Sequence, residues 1–127
     1  MKILLLIAGG ALGTLCRYYG SLAVMSIFGT GLPYGTLGVN MTGSFLAGLL
    51  WGVFEAKGLT SLTYTFLFIG LLGGFTTFSS FALESVQLFR QGDLKLAVIN
   101  ILANNIFGIL LCAGGFFLAK SLMRIPG

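Results

Sequence analysis

Four apolar stretches, at roughly 2–28, 35–54, 62–89 and 95–122, take up most of this chain and leave only short polar joints between them. A helix that crosses the hydrocarbon core of a bilayer needs about 20 predominantly apolar residues. A chain of 127 residues therefore holds four spans with short connections and no catalytic domain beside them. Charged residues make up only 8% of the chain, against roughly 25% in soluble domains, and the mean hydropathy is +1.02. The sequence predicts an all-α integral membrane protein, a single four-helix transmembrane domain over 1–127, and not an enzyme.

The joints carry turn chemistry: Gly29-Thr30-Gly31-Leu32-Pro33, Glu55-Ala56-Lys57-Gly58 and Arg90-Gln91-Gly92-Asp93 end the first three spans, and Pro126-Gly127 closes the chain. Met1-Lys2 and the apolar run after them imitate a secretory signal, with Ala8-Gly9-Gly10-Ala11 at the cleavage position. Arg17, more apolar sequence and three further spans follow, so a retained first helix is expected.

The net charge of +4 comes from seven Lys and Arg residues placed singly. No basic block of the nucleic-acid-binding kind occurs, and the natural partner of such scattered charge is the lipid surface. An even number of spans puts both termini on one side. That side collects Lys2, Lys57, Lys120 and Arg124, against Arg90 and Lys95 opposite, with Arg17 inside the first span. So slight a bias permits insertion in both orientations. Four short helices cannot enclose a pore and still pack their own faces, whereas two copies related by a twofold axis in the membrane plane can. An antiparallel, dual-topology homodimer is the expected assembly. The 20 glycines, in patterns such as Gly9-x-x-x-Gly13 and Gly70-x-x-Gly73-Gly74, let helices approach closely in lipid. Cys16 and Cys112 lack CxxC spacing, the chain has no histidine, and both read as small buried hydrophobes.

The third span is longer than a crossing requires. About 28 residues at ~1.5 Å each make roughly 42 Å, against a core of ~30 Å. Near its middle stands Gly73-Gly74-Phe75-Thr76-Thr77-Phe78-Ser79-Ser80-Phe81. A glycine pair followed by four hydroxyl residues makes a poor continuous helix, and the third span is expected to be broken in mid-membrane. Carbonyls released at such a break form a hard oxygen site suited to an alkali cation, and on a dimer axis two copies would supply the shell together. Phe78 and Phe81 share a helical face. Their ring edges carry positive partial charge that can favour an anion, or the rings are packing residues. Asn40, Asn100, Asn104 and Asn105 should face protein or water, because polar groups facing lipid are costly. Their N–H donors suit either a dehydrating anion or a neighbouring helix. Arg17 either snorkels to an interface or draws anions into a vestibule, and Glu84 is expected to reach water at the end of its helix.

Three segments together resemble the CrcB/Fluc fluoride channels: Gly9-Gly10-x-x-Gly13-x-x-x-Arg17-Tyr18, Gly35-Thr36-Leu37-x-Val39-Asn40-x-x-Gly43-Ser44-Phe45, and Gly70-x-x-Gly73-Gly74-Phe75-Thr76-Thr77-Phe78-Ser79-x-Phe81. The resemblance spans the first three helices in order. It implies a dual-topology homodimer in the bacterial inner membrane, with two antiparallel pores, each lined by both subunits, through which fluoride leaves the cell passively. It further implies that Phe78 and Phe81 line the fluoride path, that Asn40 donates hydrogen bonds beside it, and that Thr77 lies on the polar side of the break. Arg17 would sit at the vestibule, and the backbone carbonyls of Gly73 and Thr76 would hold a structural Na⁺ on the dimer axis. The chain departs from the family pattern at Ser80, where Thr is more usual, and at Asn100 and Asn104, where Tyr and Ser are expected along a polar track. These three positions are carried as pore-facing candidates.

Fluoride export needs no energy source. Neutral hydrogen fluoride crosses a membrane, dissociates in the less acidic cytoplasm and leaves an anion the bilayer traps, which the membrane potential expels at about 2.3 kcal/mol per charge per 100 mV. The main alternative is a small dual-topology multidrug exporter, which is proton-coupled and needs a carboxylate in a mid-membrane pocket. The first span here has none. A non-transporting accessory subunit is a third reading, and it predicts no ion movement in liposomes.

Overall fold

A computed structural model describes residues 1–124; the expected chain end at Pro126-Gly127 lies outside them. Every regular element among the described residues is helical, and four stretches are long and apolar enough to cross a membrane: Lys2–Phe28, Tyr34–Lys57, Ser61–Arg90 and Leu94–Met123. We call Lys2–Phe28 α1, Tyr34–Lys57 α2, residues 61–75 α3, Phe78–Arg90 α4 and Leu94–Met123 α5.

The joints are short, and three of their glycines (Gly29, Gly58 and Gly92) have positive φ, the left-handed conformation that reverses a chain after a helix. One joint differs from expectation. Glu55, Ala56 and Lys57 continue α2, and the turn begins only at Gly58. The extra turn of helix is held from the side: Glu55 accepts a hydrogen bond from Trp51 Nε1 at 3.1 Å and pairs with Lys120 of α5 at 2.7 Å.

Glycine seams join the helices in two pairs. Along α2 and α5, a Cβ on Gly48 would strike the Cys112 carbonyl, and one on Gly115 would strike the Phe45 carbonyl. Along α1 and α3, a Cβ on Gly9 would sit 2.8 Å from the Phe66 carbonyl oxygen, and Gly13 is closed off by the Leu71 carbonyl. Such backbone-to-backbone approach replaces the hydrophobic drive that lipid does not provide. Cys112 is half-buried, whereas Cys16 is exposed on the outer face of α1 and is not the buried residue expected.

Two segments are wound more loosely, with π-helical turns over Thr65–Leu72 in α3 and Ala103–Phe107 in α5. In α5, two side chains bond back to carbonyls one turn earlier: Asn104 Nδ2 donates to the Asn100 carbonyl at 2.9 Å and Asn105 Nδ2 to the Ile101 carbonyl at 2.7 Å.

Between α3 and α4 the backbone leaves helical geometry for two residues. Thr76 (φ −87°, ψ 158°) and Thr77 (φ −148°, ψ 114°) are extended. Thr77 then caps α4, its hydroxyl oxygen accepting from the Ser80 amide at 3.2 Å, so the Thr-x-x-Ser spacing is used as a helix start.

Candidate functional site

The two extended threonines matter because of what their backbone groups do instead of helical bonding. In a continuous helix the Thr77 N–H would bond the Gly73 carbonyl. Here it donates to Asn40 Oδ1 of α2 at 2.8 Å, while Asn40 Nδ2 donates to the Thr77 carbonyl at 3.1 Å. One side chain thus satisfies both backbone groups of a buried residue, which would otherwise cost about 1–3 kcal/mol for each group left bare. The exchange also relieves the Gly73 carbonyl of its helical donor.

Asn40 continues into a polar row. Its Nδ2 also donates to Asn104 Oδ1 at 3.0 Å. Asn104 Nδ2 donates to the Asn100 side-chain oxygen at 3.1 Å, Asn100 Nδ2 to Ser85 Oγ at 3.0 Å, and the Ser85 hydroxyl to the Phe81 carbonyl at 2.8 Å. The row ties α2, α4 and α5 together.

Two cavities flank the break. One, of about 410 Å³, is lined by Asn40, Thr76, Thr77, Phe78, Phe81 and Asn104, with Asn105 at its side. The other, of about 360 Å³, is lined by Arg17, Thr14, Ser21, Thr36, Thr77 and Ser80. Thr77 belongs to both walls, and its hydroxyl donates to Ser80 Oγ at 3.1 Å. Arg17 makes no ion pair among the described residues.

The two phenylalanines lie edge to face, with ring centroids 5.4 Å apart, yet their surroundings differ sharply. Phe81 is 7% exposed and Phe78 is 77% exposed. Phe78 stands out from the single chain, close to exposed Gly73, Ser79 and Asn105.

Of the residues singled out from sequence, Asn40, Thr77, Phe78, Phe81 and Asn104 gather on one cavity, and Arg17, Thr77 and Ser80 on the other. Asn100 joins neither. It has no exposed surface and stands behind Asn104, between α4 and α5. Glu84 is also placed differently: instead of reaching water at the helix end, it accepts a hydrogen bond from Thr36 Oγ1 at 2.6 Å, and its other oxygen is buried without a partner. The sequence reading missed Ser85 as a link in the row. The available signal was a hydroxyl one helical turn past Phe81.

Among the described residues no group of His, Cys, Asp and Glu could hold a metal. The oxygens suited to a hard monovalent cation are instead neutral backbone carbonyls at the break. Gly73, whose carbonyl has lost its helical donor to Asn40, and Thr76, whose extended backbone turns its carbonyl out of helical register, fit that chemistry. One chain offers too few such oxygens to enclose an ion, and a second copy would repeat the set.

The architecture is that of a small four-span membrane protein with polar cavities beside two extended threonines. A family model described as CrcB-like protein, Camphor Resistance (CrcB), matches residues 4–116, and the chain belongs to the CrcB family. Among similar proteins is the fluoride-specific ion channel FluC of Parabacteroides distasonis, 44% identical over 125 residues and covering 98% of each chain. Those of Shewanella amazonensis (39% identical over 122 residues, 96% of this chain and 95% of that one) and Agrobacterium fabrum (42% over 123 residues, 96% and 98%) bear the same name. The chain is a multi-pass membrane protein.

Proposed function

We propose that this protein is a passive, fluoride-selective channel that exports cytoplasmic fluoride across the bacterial inner membrane. It works as an antiparallel homodimer with two pores. The observation that carries the reading is the interrupted third span, with Asn40 and the Phe78–Phe81 pair at its cavity, in a chain whose relatives are named fluoride channels.

A break at the middle of a span presents two helix ends at once. The end of α3 offers carbonyls, attractive to a cation, and the start of α4 offers amide hydrogens, attractive to an anion. The anion side is completed by ring edges and amide donors, which replace water around a small halide without the tight hold of a full positive charge. Arg17 raises the local anion concentration at the second cavity. On the cation side, Gly73 and Thr76 of both copies would hold Na⁺, whose charge would brace two opposed helix ends.

What one chain leaves uncovered supports the dimer. Exposed Gly73, Ser79 and Asn105 lie within spans, and polar groups do not face lipid cheaply. A second, inverted copy over this face would cover them and enclose Phe78. Near-balanced flanking charges permit both orientations to be made.

The test is efflux from liposomes loaded with fluoride or chloride. Fluoride loss without chloride loss or proton coupling is expected. Equal chloride loss would reject selectivity, and fluoride movement only with a proton gradient would reject a passive pore.

A further inference from the structure

We propose that the Asn104 side-chain oxygen occupies, on Asn40, the place a permeating fluoride takes, so that Asn104 is a displaceable rival of the ion and sets how tightly the pathway holds it. This rests on the fluoride reading above.

Side-chain amides are ambiguous until a backbone group orients them. Here backbone groups do so. The Thr77 N–H can only donate, so the atom 2.8 Å away is Asn40 Oδ1; the Thr77 carbonyl can only accept, so the atom 3.1 Å from it is Asn40 Nδ2. The remaining Asn40 hydrogen meets Asn104 at 3.0 Å, and the facing atom must be the oxygen of Asn104. The far end agrees, because Asn104 Nδ2 lies 2.9 Å from the Asn100 carbonyl, which again can only accept.

A carboxamide has two N–H donors. Asn40 uses one on Thr77 and one on Asn104; Asn104 uses both on Asn100. Both residues line the cavity, yet neither has a free donor for an anion. A fluoride that binds either amide must displace an acceptor already in place.

The geometry decides which acceptor yields. Asn40 is held to Thr77 through both ends of its amide, whereas both bonds that hold Asn104 to Asn100 leave from its nitrogen, so the Asn104 oxygen is held by Asn40 alone. The Asn40–Asn104 contact is a single bond between neutral amides, and an ionised acceptor makes a stronger hydrogen bond than a neutral one. Fluoride therefore replaces Asn104 Oδ1 while Asn40 stays put. When the ion leaves, the oxygen returns and the donor is not left bare. Asn104 is then no donor to the ion. It weakens binding, as conduction requires of a site that must also release its ion.

The experiment compares wild type with Asn104→Leu and Asn104→Ala, both of which remove the acceptor, in fluoride-efflux liposomes. The half-saturating fluoride concentration is expected to fall at least threefold in both; an unchanged or higher value overturns the proposal. A second measurement needs no variant. In wild-type dimer carrying ¹⁵N-asparagine, sodium fluoride should move an Asn40 side-chain N–H resonance most, and a larger movement on Asn104 or Asn105 overturns the proposal. If wild type releases no fluoride at all, the channel reading fails and this inference with it. Fluoride release together with weaker binding in the variants removes only the rival role of Asn104.

Discussion

The seam between α2 and α5 and the junction between α3 and α4 are both rich in small residues, and they use smallness in opposite ways. In the seam, Gly48 and Gly115 are small so that backbone can touch backbone, and an added methyl group would meet a carbonyl at once. At the junction, a Cβ on Gly73 would meet only the Phe68 carbonyl oxygen, at an ordinary 3.7 Å, and Gly73 is exposed. The seam is finished within one chain. The junction leaves Gly73 and Ser79 exposed, and Phe78 is 77% exposed in the single chain even with its edge contact to Phe81.

This contrast breaks first at Gly48. Gly48→Leu places a branched side chain into the Cys112 carbonyl, and neither helix can retreat without opening the other contacts of the seam. Overpacking of a rigid contact typically costs about 1–3 kcal/mol and sometimes more, and a leucine against backbone belongs at or beyond the upper end. Thermal unfolding in detergent should show a large loss of stability, with little dimer recovered. A near-normal unfolding temperature would mean that the seam yields and that its glycines are not what holds α2 to α5.

Asn40→Ala tests the other side of the comparison. The buried Thr77 N–H and carbonyl lose their partners, which should cost about 1–3 kcal/mol for each group that stays unpaired. Fluoride efflux should also fall by at least tenfold. Because the Thr77 amide is then free to return to the Gly73 carbonyl, any dependence of dimer stability on Na⁺ should weaken too. Retained sodium dependence would separate the cation site from the Asn40–Thr77 exchange.

The phenylalanine pair sharpens the contrast further. Phe81→Ile removes part of a buried ring and should cost about 1–2 kcal/mol, whereas Phe78→Ile alters a ring that is 77% exposed in the single chain and should change subunit stability by less than ~0.5 kcal/mol. Both should reduce fluoride flux while dimer remains on size-exclusion chromatography. Undiminished flux in both variants would remove the rings from the pathway.

How much of this was legible in the sequence depended on whether one helix or two were involved. The four spans were legible because length and apolar content are properties of a segment by itself. Asn40, Thr77 and Arg17 could be singled out because a polar group in a span must find company somewhere. Which company it finds is a matter of helix rotation and of the π turns, and the pattern of apolar residues does not encode either. Asn100 and Asn104 illustrate the limit: four residues apart on one helix, they read as equivalent, yet Asn104 lines a cavity and Asn100 is sealed behind it. Glu84 shows the same limit, since its partner Thr36 stands on a different helix. The last turn of α2 carries a charge pair with Lys120, 65 residues further along the chain from Glu55.

The smallest change in the series asks the sharpest question of the comparison. Gly73→Ala adds one methyl group to a position where the single chain has room for it, and alanine favours helix over glycine by about 1 kcal/mol. Judged by the subunit alone, the substitution should be neutral or slightly stabilising. If the junction is completed by a second copy, the same methyl group enters the tightest part of the contact, next to the carbonyls that would hold Na⁺. Dimer dissociation on dilution in detergent should then shift to higher protein concentration by roughly tenfold, which is about 1.4 kcal/mol, while helix content and monomer stability stay level. An unshifted dissociation curve would mean that nothing approaches Gly73 from outside, and the junction would be as self-contained as the seam.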